Sequence, residues 1–374
     1  MITMLKVCIN ELNYFKAMLM NITKISKVNF MGKIIDSHAH IGKHDRGRYI
    51  KSDLDIFVKS ELPNNDTVEK MLVSDLDVLH GIKNEYEGNK LALETFKNNE
   101  KYSLIASCNP KDGEINNIKK LFKDYPSGFV GLKFHSDIQQ LDLANKRYEP
   151  YLEFASKKKL PCLFHSQVEL FEGGKVNPSI KHIADPESIY ALAKKYPKTP
   201  IVMAHLGAGW NEAHDKATDI LIESIKKGDA NLYADISWVD IDQEHTHVVK
   251  TIKRLKGIGE KGWIYGDQTH RLMFGTDAPI DRFKKEDSRK IYSDFVDKIK
   301  ESIRKDKDLK NDAEKIIEDL FYNNAKNLYL SNKNESSKSY KKFLVLGVVA
   351  AIGIGIYAIC KNDKENFARK SYIN

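Results

Sequence analysis

Eight short, almost continuous apolar runs punctuate the chain, and stretches with helical spacing lie between them. The runs fall at residues 33–42, 70–73, 102–107, 128–135, 160–165, 200–205, 231–236 and 271–277. Of the intervening stretches, residues 186–196 show the pattern well: Ile189, Leu192, Ala193 and Tyr196 share one helical face. Strands that are apolar on both sides are buried on both sides, which is the condition of parallel strands covered by helices. Eight such repeats predict an α/β protein closed into a (β/α)8 TIM barrel. An open doubly wound sheet is the alternative, but it calls for Gly-x-Gly-x-x-Gly after the first strand, and no such turn is found there. Residues 43–66, polar and rich in Lys, Asp and Asn, read as a long loop able to act as a lid.

Barrel enzymes place their chemistry at the C-terminal ends of the strands, so the residue closing each run is the informative one. Here those residues are His38 and His40, Lys133 and His135, His165, His205, and Asp277. Side chains alternate along a strand, so Asp36, His38 and His40 point the same way, and two imidazoles on alternate residues can grip one metal ion. Each of these residues alone is equally well a satisfied core histidine or a helix-capping aspartate. Five runs of eight delivering such residues to one rim argue for a metal centre. His245 and His247 form a second His-x-His, but with no apolar run before them they read as a solvated helix face.

The combination of His-x-His after strand one, single histidines ending strands five and six and Asp ending strand eight resembles the amidohydrolase superfamily of metal-dependent hydrolases. The segments 204–207 (Ala-His-Leu-Gly), 274–279 (Phe-Gly-Thr-Asp-Ala-Pro) and 321–329 resemble the branch related to aminocarboxymuconate semialdehyde decarboxylase. The likeness spans about residues 32–331. It implies that His38, His40 and Asp277 hold a divalent ion, with His165 a further ligand of it or of a second ion. Zinc suits such a donor set. Asp277 would pass the proton of an activated water to the leaving group, and His205 would orient that water or stabilise the developing oxyanion.

Lys133 has two readings within the superfamily. A carboxylated lysine on strand four bridges two ions in two-metal members, with His165 and His205 holding the second ion; in a one-metal site Lys133 would instead bind a substrate carboxylate. His135, of the same parity, would contact substrate. Trp210 and Trp238 are candidate walls for an aromatic or unsaturated substrate. The expected activity is hydrolysis of a small amide, lactone or ester, and the alternative is nonoxidative decarboxylation of a small unsaturated or aromatic carboxylic acid.

Charge bears on partners through its distribution. The net +8 divides into +3 over residues 1–30 and +5 over residues 331–374, which leaves the central segment neutral. A neutral core disfavours nucleic acid as a partner. The four cysteines, Cys8, Cys108, Cys162 and Cys360, are too scattered for a disulfide framework or a Cys-x-x-Cys site.

The ends of the chain set further expectations. Residues 1–30 lack an uninterrupted apolar stretch and read as an extension, with Met31 a candidate true start. The barrel would occupy residues 31–331, a polar linker 332–342, a transmembrane anchor 343–360 and a basic tail 361–374. The eighteen residues 343–360 carry no charge and would make a helix of about 27 Å, near the thickness of a bilayer core. Gly347, Ala351 and Gly355 form a small-residue stripe suited to helix pairing, hence to a homo-oligomer. These features lead us to expect a membrane protein with one C-terminal span and a cytoplasmic catalytic domain.

Overall fold

The computed structural model describes residues 32–169, 181–208, 211–239, 246–280 and 287–331. Nine strands are present among them: β1 (Lys33–His44), β2 (Gly47–Tyr49), β3 (Thr67–Asp75), β4 (Tyr102–Ser107), β5 (Phe129–Phe134), β6 (Cys162–Phe164), β7 (Ile201–Met203), β8 (Leu232–Asp235) and β9 (Leu272–Met273). They follow the order β2-β1-β3-β4-β5-β6-β7-β8-β9, and every pair but β1–β2 is parallel. Backbone bonds from Ser37 N to Phe274 O (3.0 Å), Asp277 N to His38 O (2.8 Å) and His40 N to Ala278 O (2.8 Å) join the segment after β9 to β1. The eight parallel strands therefore close on themselves. They coincide with the eight apolar runs of the sequence.

The segment 43–66 is not the long loop expected from its polarity. β1 continues to His44 and turns back antiparallel into β2, with Gly42 opposite Tyr49, and a helix follows at Lys51–Val58. Tyr49, Leu54, Phe57, Val58 and Leu62 are buried, and their apolar spacing is diluted in the sequence by Lys and Asp on the outer face. The helix Pro186–Lys195 forms where the periodicity placed it, with Asp185 accepting from Glu187 N at its start.

Helices wrap the sheet with apolar faces inward, and the aromatic rings pack across layers: Phe134 stacks on Phe164 at 4.6 Å, and Phe274 meets Phe321 at 4.7 Å. At the end where the strands begin, Asn324 Nδ2 donates to Thr269 O and Leu272 O, and Tyr329 packs beside Gly131. The barrel is a compact unit ending at Tyr329. Among the described residues no helix is long and apolar enough to cross a membrane. The extension at 1–30, the anchor at 343–360 with its small-residue stripe, and Trp210 and His245 lie outside the described residues.

Candidate metal centre

The first strand sets the site. His38 and His40 lie near the C-terminal end of the parallel part of β1, beside a register irregularity between Asp36 and Ala39, and both are almost wholly buried. Their Nε2 atoms come within 3.0 Å of each other. Asp277, delivered just after β9, places Oδ1 3.3 Å from His38 Nε2 and 3.0 Å from His40 Nε2. The approach of β9 to β1 is close because residue 275 is Gly: a Cβ there would lie 2.9 Å from His38 Cβ. Asp36 points deeper and accepts from Thr276 N, Thr276 Oγ1, Tyr292 Oη and His38 N, so it ties the two strands together behind the site.

Each imidazole is held from behind. Asp235 Oδ2 lies 3.0 Å from His38 Nδ1, and Ser74 Oγ lies 2.8 Å from His40 Nδ1. An ionised Asp235 can only accept, so His38 carries its hydrogen on Nδ1 and turns the Nε2 lone pair toward Asp277. Asp235 also accepts from His205 N (2.9 Å) and from Ser237 Oγ (2.5 Å), and Ser237 Oγ lies 2.8 Å from His205 Nδ1. Asp235, Ser74 and Ser237 were not singled out in the sequence. Asp235 closes the seventh parallel strand, so the rule applied to the other strand ends would have found it; the two serines carry no such signal.

Strained backbone delivers three of these groups. His205 (φ 60°), Trp238 (φ 65°) and Asp277 (φ 65°) adopt left-handed conformations that cost non-glycine residues on the order of 1–3 kcal/mol each and concentrate at functional sites. Trp238 uses its indole to hold Asp277: Nε1 donates to Oδ2 at 2.9 Å.

The electrostatics favour neutral imidazoles around a carboxylate. Burial pulls His40 down to about 3 and His205 to about 4, and it pushes His135 and His165 well below the usual imidazole range. Burial alone would raise Asp277, but the His40 hydrogen bond and the surrounding imidazoles outweigh it and hold the carboxyl well below the ordinary range. Lys133 is fully buried with Nζ 2.8 Å from His38 Nε2, and burial lowers its ammonium to about 8.

His38, His40 and Asp277 thus form a group of donor atoms able to hold an ion. A tetrahedral site with bonds of about 2.0–2.1 Å has edges of about 3.3 Å, and the three separations found here are of that size. A second group, His38, His205 and Asp235, has the proximity for an ion, but its nitrogens and oxygens already bond one another and Ser237. His165 stays outside both groups: its Nε2 lies 3.4 Å from Gln167 Oε1, and its ring stacks on His135 at 3.9 Å and meets His205 edge-on at 5.0 Å. His135 Nδ1 accepts from Ile138 N.

Comparison with known proteins agrees with this architecture. The amidohydrolase family model matches residues 126–330. An amidohydrolase from Burkholderia multivorans with bound zinc is 11% identical, with 79% of this chain and 98% of that one covered and a TM-score of 0.52. A 2,6-dihydroxybenzoate decarboxylase in complex with 2,6-dihydroxybenzoate is 14% identical over 80% and 99%, at 0.51. A Pseudomonas putida protein named as a candidate 2-pyrone-4,6-dicarboxylic acid hydrolase is 16% identical over 79% and 97%, also at 0.51. Identities this low speak to the fold. No curated protein matches the chain. With the family model covering more than half of its length, the chain belongs to the amidohydrolase family.

Proposed function

We propose that this protein is a metal-dependent hydrolase of a small amide, lactone or ester. The observation that carries the reading is the convergence of His38 Nε2, His40 Nε2 and Asp277 Oδ1 at mutual separations of 3.0–3.3 Å. A divalent ion held there, zinc by its donors, supplies Lewis acidity toward a substrate carbonyl and lowers the pKa of water to about 7. Asp277 takes the proton of the attacking water and returns it to the leaving group, while Trp238 Nε1 fixes its second oxygen. His205, bonded through Nδ1 to Ser237, orients the water. His165, whose Nε2 lies 3.4 Å from Gln167 Oε1, would serve as a further ligand of this ion or of a second one.

Lys133 favours keeping a second reading. A buried ammonium beside the centre suits a carboxylate on the substrate, and with it nonoxidative decarboxylation of an unsaturated or aromatic acid at the same residues. His135 and Trp238 would then wall the substrate. Elemental analysis and a substrate screen test both readings together. One ion per chain, lost with activity in His38→Ala and His40→Ala, is expected; carbon dioxide release would select decarboxylation. Two ions, the second lost in Lys133→Ala, would instead make Lys133 a bridge. Unchanged metal content and activity in both histidine variants would overturn the enzyme reading.

A further inference from the structure

The end of the barrel opposite the metal centre carries an exposed apolar turn that the proposed chemistry does not use. It lies between the helix Thr246–Leu255 and β9, on the side where the strands begin. Trp263 rests its ring against Gly257 and donates from Nε1 to Gly266 O at 2.8 Å; Tyr265 Oη donates to Lys226 O at 2.9 Å. Between these two anchored aromatics Ile264 is 84% exposed, and Tyr265 is 36% exposed. A held turn that presents an isoleucine between two amphipathic rings is matched to a surface that is apolar inside and polar outside.

Charge on the same end points to the kind of surface. The barrel helices finish there, and their last turns carry Lys123, Lys157 and Lys158, and Lys194 and Lys195. Cations at helix C-termini are favoured by the helix dipole alone. The exposed run Lys157, Lys158, Lys159 and the exposed Lys261 beside Ile264 go beyond one cation per helix end. Nearer Ile264, Lys226 and Arg254 pair with Glu260, and Lys256 pairs with Asp267.

The chain also leaves the barrel at this end. Asn324 and Tyr329 pack against the starts of β9 and β5. Residues 332–342 then separate the barrel from the uncharged stretch 343–360, and eleven residues reach at most about 40 Å in any conformation. If 343–360 spans a bilayer, the linker holds residue 331 within that distance of it.

We propose that this face rests on an anionic bilayer, with Ile264 entering the boundary between headgroups and acyl chains, Trp263 and Tyr265 at headgroup level, and the metal centre turned away toward water. Docking adds a second contact to the tether and fixes the orientation of the barrel. The activity proposed above is independent of it.

Site-directed spin labelling of the full chain tests the proposal. A label at Ile264→Cys, in a background with Cys8→Ser and Cys360→Ser, is reconstituted into vesicles of phosphatidylcholine and phosphatidylglycerol. A label at Ile82→Cys, 49% exposed on the turn after β3 at the metal-centre end, serves as the reference. The expected result is at least a fivefold higher ratio of oxygen to aqueous nickel-complex collisions at 264 than at 82. Equal ratios at the two positions would overturn the proposal. So would a label at 264 shielded from both reagents, the mark of a protein partner or a second copy. Failure of the chain to float with the vesicles would remove the bilayer as occupant.

Discussion

His38 and His40 are the same side chain two residues apart, yet each is backed by a different partner, Asp235 for one and Ser74 for the other. The carboxylate is the stronger of the two because it both fixes the tautomer and raises the basicity of the ring it holds. Burial would raise Asp235, but His38 and its other partners hold it well below the usual carboxylate range, so it stays a pure acceptor. Asp235→Asn preserves the shape and one acceptor oxygen but frees His38 to carry its hydrogen on either nitrogen. We expect a 10–100-fold loss of metal affinity with the apo-protein fold unchanged, read by competition with a chromophoric chelator. Wild-type affinity in this variant would show that Asp235 does not act through His38.

At the scale of elements, the helix Ser288–Lys305 is pinned to the chain entering β3 by polar contacts. Lys300 Nζ lies 2.7 and 2.5 Å from the Asp66 oxygens, and Asn64 bonds Asp297 and Ser293. The pair is almost fully buried, so removing one partner strands the other charge. Lys300→Met is expected to lower unfolding free energy by about 3–5 kcal/mol in urea titrations, and Lys300→Met with Asp66→Leu to recover most of that loss. A single-variant loss below about 1 kcal/mol would mean that water reaches Asp66. The same contacts surround the segment that looked like a loop. Its helix is legible only after Leu54 and Phe57 are known to be buried, because the polar residues between them mask the spacing.

The whole barrel has one seam, where the last strand meets the first, and the candidate centre sits on it. His38 and His40 belong to β1, Asp277 follows β9, and three backbone hydrogen bonds join the two sides. An ion bound by all three clips the seam shut, and its binding free energy becomes folding free energy. With the ion at a thousand times its dissociation constant the gain is about 4 kcal/mol. Chelation should therefore lower the calorimetric Tm by roughly 6 °C at this barrel size. His38→Ala should melt at the chelated temperature whether or not metal is added. Equal melting of chelated and loaded wild-type protein would place the ion away from the seam.

The strand runs, their parallel arrangement and the residues closing them were legible in the sequence, because doubly buried strands need continuous apolar residues and a barrel reads its chemistry from their ends. Those ends included His38, His40 and Asp277, the first and last 239 positions apart, and the family resemblance singled out these three. Their meeting within 3.3 Å was decided by tertiary structure, through closure of the barrel and the small size of Gly275. So were the serines behind the imidazoles, the indole bond to Asp277 and the stacking of His165 on His135. A periodic pattern records burial, which each residue carries in its own composition. Hydrogen-bond partners far apart in the chain leave no periodic trace, so only the folded arrangement of the strands specifies them.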